Sequence, residues 1–142
     1  MVKQCQCMEY GVSDMVRIKK YDFGELRKKR PQLVDHMAKN LANSRYIGSG
    51  FRSFVMDYRQ PGGTIFIAWE SGEPVGWCIL PADQWGQEVW TFVHPSKRRC
   101  GIGSKMLQKT IECSDHSQKL IGLPFDNKGR KFYSKFKKVS CE

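Results

Sequence analysis

Arg98, Gly101 and Gly103 stand at the spacing Arg-x-x-Gly-x-Gly, between a run of strand formers and a segment with helical periodicity. A helix start leaves about four N–H groups without partners and carries about half a positive charge. Glycines there remove the Cβ atoms that hold a phosphate at a distance, and Lys97, Arg98 and Arg99 add mobile positive charge. The chemistry implied is a pyrophosphate cradle made from main-chain N–H groups. Two other phosphate loops are set aside. A Walker A loop ends Gly-Lys-Ser/Thr, whereas Gly103 is followed by Ser104 and Lys105. A dinucleotide fingerprint has a third glycine where Met106 stands, and no carboxylate closes the next strand to hold a ribose. A second run, Lys131-Phe132-Tyr133-x-Lys135-Phe136-Lys137-Lys138, alternates aromatics with cations, as a nucleic-acid contact does. His36, His94 and His116 show no partner pattern, no Cys-x-x-Cys pair occurs, and no metal site is expected.

The elements that position these residues follow from periodicity. Met15–Lys19 alternates apolar and polar, as a short strand does. Asp22 sits at a helix N-cap ahead of Glu25, Leu26 and the basic run Arg27-Lys28-Lys29-Arg30, which reads as a solvated face or an anion patch. Pro31 breaks that helix, and Leu33, Val34, Met37, Ala38 and Leu41 line one face of another. Gly48-Ser49-Gly50 marks a turn, and Phe51, Phe54, Val55 and Tyr58 fit either helix or strand. Thr64–Trp69 and Pro74–Leu80 are strands joined across a Ser-Gly turn as a hairpin, and Glu88–Val93 is a third strand ending at His94-Pro95. Behind the glycine loop, Ile102, Met106, Leu107, Thr110 and Ile111 form the stripe of a helix. A strand at Leu120–Leu123 and a basic, aromatic helix from Asn127 to about Lys138 complete the chain. The order β-α-α-β-β-β-α-β-α describes an α/β (α+β) domain. It has a mixed, mostly antiparallel central sheet, helices on both faces, and a short or missing C-terminal strand.

The 142 residues suit one domain, 1–142, with 1–12 frayed. Forty per cent are hydrophobic, enough for a core, which excludes a wholly disordered chain. No apolar run reaches the roughly 20 residues that span a bilayer, and the N-terminus lacks a secretory signal, so no membrane is expected and the reading is cytoplasmic. Six cysteines without a signal peptide read as reduced thiols; Cys5-x-Cys7 reads as part of a frayed terminus. The formal charge of +10 is unevenly spread. Residues 1–59 hold 12 basic and 6 acidic side chains, residues 60–96 hold none and four, and residues 97–142 hold 12 and 4. An apolar, slightly acidic middle between basic ends suggests a sheet core with anion-facing surfaces.

Val93-x-Pro95-x-x-Arg98-x-x-Gly101-Ile102-Gly103 with its amphipathic helix resembles the acyl-CoA-binding motif of the GNAT superfamily of N-acetyltransferases. The hairpin Glu73-Pro74-Val75-Gly76 is similar to that family's second-to-third strand turn. Asn127 and Phe132-Tyr133-x-x-Phe136 look like its Asn at the last helix and its Phe-Tyr-x-x-Phe signature. The chain order matches from about Met15 to Lys138.

The resemblance implies transfer of acetyl from acetyl-CoA to a primary amine by direct attack, with no metal. Trp90–Val93 would splay from Leu120–Leu123 to admit pantetheine, and N–H groups near Phe92 or Val93 would hold the thioester carbonyl and its developing oxyanion. The N–H groups of Arg99, Cys100, Gly101, Ile102, Gly103 and Ser104, with Arg98, would hold the pyrophosphate, and Asn127 would join the cofactor site. Cys100 reads as a packed small residue whose thiol the loop's charge would acidify. Tyr133 would be the general acid for the departing thiolate. A phenol of pKa about 10 suffices for a thiol near 8.5. For the base, the family's position falls on Gln87 with Glu88 beside it; Glu88, a water relay or Glu70 remain open. The missing C-terminal strands leave an acceptor pocket either open to a large acceptor or closed by a second subunit, as monomer or homodimer. The alternative class is a basic module that binds nucleic acid or an acidic protein on a GNAT fold. The two merge if the acceptor amine sits on aminoacyl-tRNA or an acidic protein.

Overall fold

The computed structural model describes residues 15–41, 63–81, 88–114, 120–122 and 127–141. The Cys5-x-Cys7 pair, the Gly48–Gly50 turn, the aromatic run from Phe51 to Tyr58, Gln87, His116 and Leu123 lie outside them. Six strands make one sheet in the order β1 (Val16–Asp22), β2 (Gly63–Glu70), β3 (Glu73–Pro81), β4 (Glu88–Val93), β5 (Leu120–Gly122) and β6 (Val139–Cys141). The pairings from β1 to β4 are antiparallel, and β4–β5 and β5–β6 are parallel. The expected mixed, mostly antiparallel sheet is therefore present, and its C-terminal strand is short. Among the described residues no helix is long and apolar enough to cross a membrane.

Side-chain alternation divides the core between two faces. On one, Ile65, Ile67, Trp77, Ile79 and Phe92 meet Phe23 and Leu26 of α1 (Phe23–Lys29) and Val34 and Met37 of α2 (Pro31–Asn40). Trp77 is fully buried, stacks on Phe92 with centroids 6.0 Å apart, and donates Nε1 to the Leu41 carbonyl at 2.6 Å. A ring of that size removes roughly 200 Å² from water, about 5 kcal/mol of stabilisation. On the other face, Phe66, Ala68, Cys78 and Val89 meet the stripe of α3 (Ile102–Cys113) and Tyr133 of α4 (Asn127–Ser134).

Local chemistry explains the boundaries. Asp22 accepts from Glu25 N at 2.9 Å and starts α1. The β2–β3 hairpin turns through Ser71 and Gly72, both at positive φ, between the paired residues Glu70 and Glu73. The last helix is shorter than its sequence predicts. Lys135 N and Phe136 N reach back only three residues, to the carbonyls of Phe132 and Tyr133. The tightened turn sets Phe136 edge-on to Phe132, with centroids 5.5 Å apart, and releases the chain into β6.

Candidate functional site

The β4 strand ends at Val93, and His94 N donates to the Val75 carbonyl at 2.8 Å, holding the chain against the hairpin. The His94 ring accepts from Ser96 N at 3.1 Å, which shapes a 3-10 turn over Pro95–Lys97. Arg99 and Gly101 then take positive φ, 65° and 81°. This sharp bend starts α3 with no side chain capping it, and the first intrahelical N–H is that of Lys105, donated to the Gly101 carbonyl. The N–H groups of Ile102, Gly103 and Ser104 lie ahead of that bond, at the positive end of the helix. An anion fits this arrangement, and the uncapped start meets the chemistry of a pyrophosphate.

The residues around the bend divide the work. Lys97 pairs with Glu70 at the hairpin and so braces the loop. Arg98 lies over Phe92, its guanidinium carbon 5.3 Å from the ring centroid, and its Nε donates to the Val93 carbonyl at 2.8 Å. Its terminal nitrogens make no hydrogen bond among the described residues. Arg99 is exposed, while Cys100 is buried in the core as a packing residue. At Gly103 a Cβ would point toward Val93 Cγ2 at 3.4 Å and the Phe132 ring at 3.5 Å. A Cβ there would sit in ordinary contact with β4 and α4, so α3 packs against both at this point.

Among the described residues the parallel ladder between β4 and β5 pairs Glu88 with Ile121 and Val89 with Gly122. Trp90, Thr91, Phe92 and Val93 continue paired with β3 on one side and, among the described residues, with no strand on the other. Tyr133 packs beside this ladder. It is 2% exposed, and its hydroxyl donates to Thr91 Oγ1 at 3.1 Å and lies 3.4 Å from the Val89 carbonyl. Its ring lies over Gly122, where a Cβ would come within 2.5 Å of Tyr133 Cγ. Phe132, next in the helix, touches the α3 start, so the phenol and the anion cradle share one face of the sheet. Asn127 opens α4.

Glu88 is half-buried and shares the strand parity of Trp90 and Phe92. It belongs to the α1–α2 face, opposite Tyr133. Glu70 is engaged with Lys97. The expected pairing of aromatics with cations along α4 resolves differently from an open contact run. Tyr133 is buried and Phe132 and Phe136 pack into the core, while Lys128, Arg130, Lys131, Lys135, Lys137 and Lys138 are exposed. The face offers cations without stacking platforms.

Sequence reasoning missed the surroundings of the phenol. Thr91 Oγ1 lies 3.4 Å from Cys78 Sγ, and Thr110 Oγ1 lies 3.3 Å from the same sulfur and donates to the Met106 carbonyl at 2.9 Å. Burial pushes the Cys78 thiol up to about 11, against the opposing pull of its hydrogen bonds to Thr110 and Thr91. A Thr inside the apolar stripe of α3 was the one signal in the sequence.

A family model described as an acetyltransferase (GNAT) domain matches residues 61–137. No curated protein matches the sequence. Among solved structures, a GNAT-family acetyltransferase of Streptococcus pneumoniae TIGR4 is 20% identical, with 85% of each chain covered and a TM-score of 0.56. An integron cassette protein from the mobile metagenome of V. cholerae is 20% identical over 87% of this chain and 85% of that one, TM-score 0.54. A ribosomal-protein-alanine N-acetyltransferase of Brucella melitensis biovar Abortus 2308 is 20% identical over 85% and 90%, TM-score 0.51. At such identities the structural likeness shows the fold.

Proposed function

The chain belongs to the GNAT acetyltransferase family, and on that premise we propose that it transfers an acetyl group from acetyl-CoA to a primary amine by direct attack. The observation that carries the reading is the uncapped start of α3, on the same face of the sheet as the Tyr133 hydroxyl. Bound acetyl-CoA supplies the activated thioester. The N–H groups of Ile102, Gly103 and Ser104, with Arg98 and Arg99, hold its pyrophosphate, and Asn127, at the start of α4, is a further cofactor contact by likeness to the family motif. Main-chain groups of Phe92 and Val93 orient the thioester carbonyl, and Tyr133 gives the proton at Oη to the leaving sulfur. Glu88, on the opposite face, is the base for an amine entering from the α1–α2 side. Proton donor and base on different faces suit a reaction in which nucleophile and leaving group do not share a side. The cationic surface suits an acceptor amine carried on an acidic protein or on aminoacyl-tRNA.

The test is thermal unfolding with acetyl-CoA, followed by thiol release with a panel of amines. A ligand that binds only the folded state adds about 2.7 kcal/mol at 100 times its Kd, so the melting temperature rises by several degrees. An unchanged melting temperature at millimolar acetyl-CoA overturns the reading. The alternative, a basic module without catalysis, is disfavoured by the inward packing of Phe132, Tyr133 and Phe136, which turns the rings of α4 away from a base stack.

A further inference from the structure

Hydroxyls and thiols are costly inside an apolar core unless each finds a partner. Four of them form a continuous row from α4 to α3 under the sheet: Tyr133 Oη, Thr91 Oγ1, Cys78 Sγ and Thr110 Oγ1, at successive separations of 3.1, 3.4 and 3.3 Å. Cys78 and Thr91 are directly opposite in the β3–β4 ladder, so their side chains emerge together on the Tyr133 face. Thr110 is the fully buried polar residue of the described core, and its hydroxyl also reaches the Met106 carbonyl. Each atom of the row both donates and accepts, so it can be satisfied in either direction. In one sense Tyr133 donates to Thr91, Thr91 to Cys78, Cys78 to Thr110 and Thr110 to Met106 O. In the other, Thr110 donates to Cys78, Cys78 to Thr91, and Thr91 to Tyr133 Oη.

We propose that Thr91 is a positioning residue for the acid step: it holds the Tyr133 phenol against β4, then turns to donate to Oη once the proton has gone. The inference rests on the general-acid reading of Tyr133. In the step the O–H bond of Tyr133 breaks and an S–H bond forms on the leaving thiolate, and the electron pair of the broken bond stays on Oη. Only rotors move in the row; no other proton changes owner. A thiol kept protonated by burial serves both senses, since Cys78 retains its hydrogen at neutral pH. Charged-group hydrogen bonds are the strong kind, so the Thr91 bond matters more to the phenolate than to the phenol. That difference lowers the barrier without tightening acetyl-CoA binding.

The experiment compares Thr91→Val, Thr91→Ser, Tyr133→Phe and the Thr91→Val/Tyr133→Phe pair by steady-state kinetics and by NMR of tyrosine labelled at Cζ. The Tyr133 resonance is assigned by its loss in Tyr133→Phe. Thr91→Val is expected to lower kcat about tenfold with KM for acetyl-CoA unchanged, and to move the Tyr133 Cζ resonance. Thr91→Ser is expected to restore both, and Thr91→Val is expected to add nothing in the Tyr133→Phe background. If Thr91→Val does not fold, Cys78→Ala removes the support one atom further back and is expected to lower kcat about threefold with the same signature. Full turnover in Tyr133→Phe sinks the general-acid reading and this proposal with it. An impaired Tyr133→Phe beside a fully active Thr91→Val, or an unmoved Cζ resonance in Thr91→Val, overturns this proposal alone.

Discussion

Tyr133 owes its place to a residue that has no side chain. Its ring fills the space a Cβ on Gly122 would take, with Cγ at 2.5 Å and both Cδ atoms at 2.7 Å from that point. Gly122→Ala must therefore push the ring off β5, and with it the hydroxyl from Thr91. Overpacking of this kind costs about 1–3 kcal/mol, readable by urea denaturation. The functional consequence is a fall in kcat of at least tenfold, while stabilisation by acetyl-CoA persists because the α3 start is untouched. A kcat equal to the native value would show that the ring position does not govern the chemistry. Cys78 supplies a second prediction at this scale. Its thiol is raised by burial from 9.0 to about 11, so between those values the folded chain holds a proton that the unfolded chain has released. The associated stability is complete below about pH 9 and declines as pH rises toward 11, by about 1 kcal/mol at about pH 10. Cys78→Ala abolishes that component, so the native-minus-variant difference in unfolding free energy should shrink between about pH 8 and pH 10. A constant difference refutes it.

At the scale of elements, the helix starts and strands were legible because their signals are local. Asp22 before Glu25, the Ser71-Gly72 turn and the alternation in β2 and β3 each specify a conformation within a few residues. The glycine loop was legible for the same reason. The parity of Glu88 was also readable, since period-two alternation alone sets it opposite Val89 and Thr91. What resisted was non-local. The end of α4 depends on Phe136 finding Phe132 and on β6 finding β5, and helical periodicity through Lys138 carries no trace of either. The row through Thr91, Cys78 and Thr110 joins three elements, so no window of sequence contains it. The aromatic and cationic positions of α4 were visible, but their separation into a buried and an exposed face needed the sheet against which the helix lies. Local origin also makes a clean separation of stability from activity possible. Asp22→Ala removes the bond to Glu25 N at the far end of α1 and is expected to cost about 1 kcal/mol in urea denaturation, with kcat and KM unchanged. A changed kcat would mean that α1 is coupled to the site.

For the whole molecule, charge outweighs any single pair. Twenty-four basic side chains against fourteen acidic ones give +10, and residues 60–96 contain no Lys or Arg at all. The strands β2, β3 and β4 are therefore acidic or neutral, while α1, the glycine loop and α4 carry exposed cations. A molecule so charged attracts polyanions and repels polycations at distances up to the Debye length, about 30 Å at 0.01 M salt but about 8 Å at 0.15 M. If acceptor amines reach the site through this field, association rather than chemistry carries the salt dependence. For a series of peptides with the same amine and different flanking charge, kcat/KM on an acidic peptide should fall about tenfold between about 0.01 M and 0.15 M salt. On a lysine-rich peptide it should rise over the same range, and kcat at saturation should stay nearly level for both, because screening alters encounter and not the bound geometry. The measurement separates field from contact. Opposite slopes for the two peptides establish long-range steering by the whole molecule, whereas parallel slopes would confine acceptor selection to the few residues around the Tyr133 hydroxyl.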